Sequence, residues 1–207
     1  MEIIRLENVR TDENCYLVYD ESKKAVAIDP GSEADVILKA AADCGVQIEA
    51  IAITHCHYDH ITGLNELRGQ TGAKLVCGKQ ANVNVQDTGI NLSRSACESP
   101  IHVAPADVVL SDGDTFSCGN LIFSCIETPG HTSCGVCYLC EGHLFSGDTL
   151  FLREVGRWDF PTGNEDMLKS SIKEKLYMLP DDTKVYPGHW DATTIGYEKK
   201  YNFYVKG

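Results

Sequence analysis

One heptapeptide concentrates the chemistry of this chain: Thr54-His55-Cys56-His57-Tyr58-Asp59-His60. It places three of the seven histidines within six residues. The apolar run before it, residues 48–54, reads as a buried strand. On extended backbone, side chains two apart share a face, so the imidazoles of His55 and His57 can reach one ion. Asp59 and His60 follow where the chain turns and can face a second. Three further donors lie downstream: His131 in Thr128-Pro129-Gly130-His131-Thr132, Asp148 in Phe145-Ser146-Gly147-Asp148-Thr149, and His189 in Tyr186-Pro187-Gly188-His189. Each follows a strand-like run and lies beside glycine, where backbone can approach a site closely. Five imidazoles and two carboxylates suit borderline metals such as zinc, iron or manganese.

The elements that must hold these donors come in two similar halves. Alternating apolar runs predict strands over 3–9, 15–19 and 25–29, forming a meander. Asp29-Pro30-Gly31-Ser32 breaks the pattern, Ser32 is the expected helix cap, and the spacing over 33–44 predicts a helix that Gly45 ends. A helix over 62–70 and a strand over 74–77 follow. Residues 86–106 lack periodicity and read as a long functional loop. Strands are then expected over 107–110, 115–117, 121–128, 135–140 and 143–146, a helix over 165–178, a strand over 184–186 and a helix over 193–199. Strands followed by helix, twice over and without a linker, predict a single domain over 1–207 with two sheets and outer helices.

Composition narrows the partners. Thirty acids against 18 bases give a net charge of −12 over 207 residues. Binding to a nucleic-acid backbone rests on lysine and arginine, so nucleic acid is not expected; neither is an anionic membrane. No apolar run approaches a membrane span, and the N-terminal residues do not read as a secretory signal. Ten cysteines without an export signal point to a reduced, cytoplasmic compartment, with cysteine used as a small apolar residue. Cys134, Cys137 and Cys140 lie three apart on an expected strand, so their sulfurs alternate in direction and cannot form a cluster.

The seven donors resemble the pattern of the metallo-β-lactamase-fold hydrolases: His-x-His-x-Asp-His, a distant histidine, a bridging aspartate and a last histidine. Within that superfamily the chain is similar to the glyoxalase II-like branch, hydroxyacylglutathione hydrolase-like enzymes. The resemblance covers essentially the whole chain. It implies an α+β fold, a four-layer αββα sandwich with the site at one sheet edge. It also implies two divalent ions, zinc first and iron or manganese as alternatives. One ion takes His55, His57 and His131, the other takes Asp59, His60 and His189, and Asp148 bridges them. Ions about 3.5–4 Å apart lower the pKa of a shared water, and the bridging hydroxide attacks an acyl carbonyl. Asp59 is the expected catalytic group, orienting the hydroxide and accepting its proton. The implied substrate is a small-molecule acyl thioester such as an S-2-hydroxyacyl-glutathione.

Particular residues refine that expectation. Asp148 stands where β-lactamases of the fold usually carry cysteine. Asp159 and Asp191 stand where glyoxalase II tends to have substrate-contacting tyrosines, and few residues follow His189. Arg157 is a candidate carboxylate anchor, with an ion pair to Asp159 as the competing role. Tyr58 is expected as a pocket wall, and Cys56 should point away from the ions. His55-Cys56-His57-x-Asp59-His60-Ile61-Thr62-Gly63 and Gly-Arg-x-Asp-Phe are also similar to mono-iron persulfide dioxygenases, which ligate through the matches of His55, His131 and Asp148. That reaction, and a lactonase of the same fold, are the alternatives.

Overall fold

The computed structural model describes residues 1–207. The first half builds a six-stranded sheet, ordered as the chain runs: β1 (Glu2–Asn8), β2 (Glu13–Tyr19), β3 (Lys24–Ile28), β4 (Gln47–Ile53), β5 (Lys74–Gly78) and β6 (Val108–Leu110). The first three strands are the expected antiparallel meander, and β3 to β6 are parallel. The second half builds another six-stranded sheet from β7 (Thr115–Cys118), β8 (Leu121–Glu127), β9 (Val136–Cys140) and β10 (His143–Gly147), later joined by β13 (Lys184–Pro187) and β14 (Thr193–Thr194). Between β10 and β13 the chain makes a two-stranded ribbon, β11 (Leu150–Phe151) with β12 (Glu154–Val155). The helices are α1 (Ala34–Cys44), α2 (Tyr58–Ile61), α3 (Leu64–Thr71), α4 (Lys79–Asn84), α5 (Ser93–Ala96), α6 (Glu165–Glu174) and α7 (Ile195–Tyr201).

Strand alternation explains the layering. In β2, Cys15 and Leu17 pack outward under Ile37 of α1 and Leu64 and Leu67 of α3. Tyr16 and Val18 point the other way, into a core shared with Phe123, Tyr138 and Phe145 of the second sheet. A third core joins Leu144 and Val185 to Leu168 and Ile172 of α6 and Ile195 of α7. Both faces of each sheet are buried, which gives the four-layer αββα sandwich. Alternation along β9 sends Cys137 and Cys140 into different cores, and Cys134, in the turn before that strand rather than on it as expected, packs into a third. The Tyr138 hydroxyl donates to the Ile53 carbonyl at 2.9 Å, fastening the two sheets just before the ligand heptapeptide. Such a bond contributes about 1 kcal/mol.

Several local expectations change. Helix α1 ends at Gly45, with φ of 65° as a left-handed cap requires. Its N-cap, however, is Glu33 without a side-chain bond, not Ser32. The helix predicted over 165–178 stops at Glu174, because Lys175 departs to φ −117° and Leu176–Met178 tightens to a 3-10 turn. The expected loop over 86–106 contains the single-turn helix α5, too short to leave a periodic signature. No helix is long and apolar enough to cross a membrane.

Candidate metal centre

The heptapeptide leaves the C-terminal end of β4, and its buried histidines line one edge of the sandwich. His131 enters from the turn between β8 and β9, Asp148 from the end of β10, and His189 from the end of β13. All seven donors converge. Ligand atoms of His55, His57 and His131 form one group within 4.8 Å of one another, and those of Asp59, His60 and His189 form another. Asp148 lies between them. Its Oδ2 is 3.5 Å from His131 Nε2 and 3.6 Å from His189 Nε2, and its Oδ1 is 3.3 Å from His60 Nε2.

The hydrogen bonds around the rings set which nitrogen faces inward. His131 Nδ1 donates to the Arg157 carbonyl at 2.6 Å, and His189 Nδ1 donates to the Asp12 carbonyl at 3.1 Å. His60 Nδ1 donates to Asp29 Oδ2 at 3.0 Å. The Thr54 hydroxyl spends its proton on Asp29 Oδ2 at 2.7 Å and therefore accepts from His55 Nδ1 at 3.1 Å. Four imidazoles are thus held with Nδ1 protonated and a lone pair on Nε2 aimed into the centre. His57 is turned the other way, its Nδ1 lying 2.9 Å from His131 Nε2. His55 Nε2, His60 Nε2 and Asp148 Oδ1 are buried without hydrogen-bond partners. Buried polar atoms left unpaired at one spot are costly unless a cation completes them. The donor set therefore fits a metal.

Electrostatics divides the two groups. Burial pushes His55 well below its ordinary range, lowers His131, and takes His57 down to about 3. Burial also opposes charge on His60 and His189, but Asp148, with Asp29 for His60 and Asp59 for His189, outweighs it and raises both. The same histidines hold Asp148 well below the usual carboxylate range against its own burial.

Three residues beyond the sequence motif position this cluster. Asp29 is almost fully buried at the end of β3, with φ of 50°. Its carboxylate accepts from the Thr54 amide at 2.6 Å as well as from Thr54 and His60 side chains, so one residue orients two ligands. Asn14 and Tyr16 of β2 hold the turn of His189. The Asn14 amide donates to Gly188 and its side chain to Pro187 and Trp190, while the Tyr16 hydroxyl donates to Pro187 at 2.7 Å. Glu13 is fully buried, and burial raises its carboxyl well above the usual range although His60 pulls the other way. Glycine is required where the turns meet the ligands: a Cβ on Gly188 would lie 2.3 Å from Asp148 Oδ1 and 2.7 Å from His60 Cε1. Asp29→Asn, which keeps the left-handed backbone but removes the charge, is expected to weaken zinc affinity about 10–100-fold. A competition titration with a chromogenic chelator measures this; unchanged affinity would show that Asp29 orients nothing that matters to the ion.

A cavity of about 460 Å³ opens over the centre. Tyr58 lines it as expected, with Phe151, Trp158, Phe160, Trp190 and Tyr204. Arg157 also reaches the cavity, but its guanidinium forms a bidentate pair with Asp159 at 2.8 and 2.9 Å, over the Phe160 ring. The ion-pair role therefore holds its side chain, and its main-chain carbonyl orients His131. Cys56 is buried in the outer core and faces away from the centre.

A four-layer αββα sandwich carrying a His/Asp cluster at its sheet edge defines a metallohydrolase-type protein. The chain belongs to the metallo-beta-lactamase superfamily, whose family model matches residues 9–189. It is 36% identical to a probable polyketide biosynthesis zinc-dependent hydrolase, BaeB, of Bacillus velezensis, over 84% of this chain and 72% of that one. It is 30% identical to the hydroxyacylglutathione hydrolase GloC of Haemophilus influenzae, over 92% and 91%. Among solved structures, BLEG-1 B3 metallo-beta-lactamase superposes with a TM-score of 0.93 at 32% identity over the whole of both chains. ETHE1 from Myxococcus xanthus superposes with a TM-score of 0.83 at 33% identity, over 98% of this chain and 84% of that one.

Proposed function

We propose that this protein is a dinuclear-metal hydrolase that cleaves a small acyl thioester in a reduced cytoplasm. The observation that carries the reading is the shared position of Asp148, within 3.6 Å of nitrogens from both donor groups. Bound at these two groups, divalent ions, zinc by preference, would supply the charge that lowers the pKa of a water and polarises an acyl carbonyl. The chain's own residues do the rest. Asp59 Oδ2 lies 3.5 Å from His189 Nε2 and its residue lines the cavity, which supports a role for it in orienting a nucleophilic water and accepting its proton. His189 and burial act on it in opposite senses, and the net effect keeps its carboxyl low and ionised. The aromatic wall excludes water and seats the acyl group. A thiol of pKa about 8.5 leaves as thiolate without a general acid.

The cavity also bears on the thiol. Its charged lining is Asp12, Asp59, Asp148, Glu154 and Arg157, apart from the histidines, and Arg157 is already neutralised by Asp159. Beyond the ions themselves, a carrier with two carboxylates, such as glutathione, meets no unpaired side-chain cation there. A carrier of lower charge, with an apolar acyl group, suits the wall better. The zinc-loaded protein is therefore expected to hydrolyse aryl- or alkylacyl thioesters of neutral thiols with higher kcat/KM than S-acyl-glutathiones. A panel followed by thiol release tests this. Two ions per chain with no thioester turnover would overturn the reading. One iron per chain with oxygen uptake on a persulfide would replace it with the mono-iron dioxygenase, to which the intact Gly-Arg-x-Asp-Phe segment lends support.

The split in histidine basicity predicts the order of metal loss. A ligand that binds protons more tightly loses its ion at higher pH. His60 and His189 are raised, whereas His55, His57 and His131 are lowered. As pH falls from neutral, the Asp59–His60–His189 group should empty first. Elemental analysis after stepwise dialysis should show a plateau near one ion; simultaneous loss of both would refute the order.

A further inference from the structure

Two turns that carry donors also carry a pair of thiols the proposed hydrolysis does not use. Cys56 lies between His55 and His57, and Cys134 lies three residues beyond His131. Both are buried, at 0% and 2% exposure, and their Sγ atoms are 3.5 Å apart. Among the ten free thiols they are the two in hydrogen-bond contact with each other. A disulfide spans about 2.05 Å, so closure by about 1.5 Å would join them. Neither residue belongs to a strand or helix, so closure breaks no ladder. Thr132 Oγ1 lies 3.3 Å from Cys134 Sγ. Cys134 also lines a surface cleft of about 400 Å³ with Gly78, Lys79 and Ser133. That cleft shares no residue with the cavity over Asp59, so an oxidant approaching Cys134 from this side does not enter the site.

We propose that Cys56 and Cys134 form a redox site, oxidised to a disulfide by a small peroxide, and that this bond loosens metal at the His55–His57–His131 group. The Cys134 sulfur, having lost its proton, attacks one oxygen of the peroxide. The O–O bond breaks, hydroxide leaves and takes up that proton as water, and Cys134 becomes a sulfenic acid. The Cys56 sulfur then attacks the Cys134 sulfur. The S–O bond breaks, the leaving oxygen departs as a second water with the Cys56 proton, and the S–S bond forms. Two thiols are oxidised by two electrons and one peroxide is reduced to two waters. A thiol reductant reverses the bond by exchange. The coupling to metal is geometric. Drawing the sulfurs together by about 1.5 Å moves two ligand-bearing turns, whereas metal–ligand distances tolerate about 0.2 Å.

The test treats zinc-loaded protein with a slight excess of hydrogen peroxide, then alkylates, digests and maps the peptides by mass. The expected result is a cross-linked pair containing Cys56 and Cys134, two hydrogens lighter than the separate peptides, that disappears with dithiothreitol. Bound zinc should fall by about half in the same sample, because one donor group is disturbed. Cys134→Ser should give no cross-link and keep its zinc through the treatment; Cys56→Ser serves equally if the first variant is unstable. Over-oxidation of Cys134 to a sulfinic acid without a cross-link overturns the redox site. A cross-link with zinc unchanged overturns the coupling. Neither result bears on thioester hydrolysis, which is read separately on reduced protein.

Discussion

Asp148→Ala is expected to lower thioester turnover by about 10³-fold or more, the scale of losing a shared metal-ion clamp and its charge stabilisation. The reason lies in position rather than in charge alone. Asp148 is the carboxylate that reaches both donor groups, with Oδ1 3.3 Å from His60 Nε2 and Oδ2 3.5 Å from His131 Nε2. Alanine there leaves the two groups unconnected and the lone pairs of several imidazoles facing one another. Bound metal should fall from two ions toward one, with the survivor held by His55, His57 and His131. Elemental analysis beside initial rates measures both effects. Full occupancy with turnover within about tenfold of the parent would deny the bridge that this magnitude assumes.

Asp59→Asn separates proton acceptance from shape. Asparagine keeps the size of the side chain and its reach toward His189, 3.5 Å away, but offers no carboxylate. General-base contributions run about 10²–10⁴-fold, and a loss in kcat of that size is expected here. The substrate wall is untouched, so KM should change little. The His55–His57–His131 group does not include Asp59, so at least one ion should remain. Turnover within about threefold of the parent, at unchanged metal content, would remove Asp59 from the mechanism.

The donors were legible because four of them share one short segment and the other three each follow a strand at a glycine turn. A pair of sheets with outer helices was suggested by strands that recur in the same order, whereas the four-layer αββα plan followed only from the resemblance, because strands buried on both faces do not alternate cleanly. The residues that orient the donors were not legible. Asp29 reads as part of a turn, Asp-Pro-Gly-Ser, until parallel pairing of β3 with β4 brings its carboxylate against Thr54. Glu13 and Asn14 read as turn residues, and the buried partner of Asn14 in the His189 turn lies 173 positions away, far beyond any local pattern. Arg157 was visible as a cation near the site, but its acting atom toward His131 is a carbonyl, which no side-chain pattern reports. The short helices α4 and α5 and the ribbon of β11 and β12 each involve too few residues for a period to emerge.

The donors divide between the two halves: His55, His57, Asp59 and His60 come from the first sheet, and His131, Asp148 and His189 from the second. Neither half alone can complete either donor group. With ions bound at these groups, the centre would act as a clasp between two lobes and report whether the lobes are docked. Ions bound at these two groups would stabilise the joined state above either lobe alone, where the first half keeps only Asp29, His55 and His60 within ligand distance of one another. Two polypeptides cut within the exposed turn around Asp112 and Gly113, between β6 and β7, would report their reassembly through metal uptake. A chelator would weaken the seam between the sheets at this edge, while the shared core of Tyr16, Val18, Phe123 and Tyr138 holds the rest.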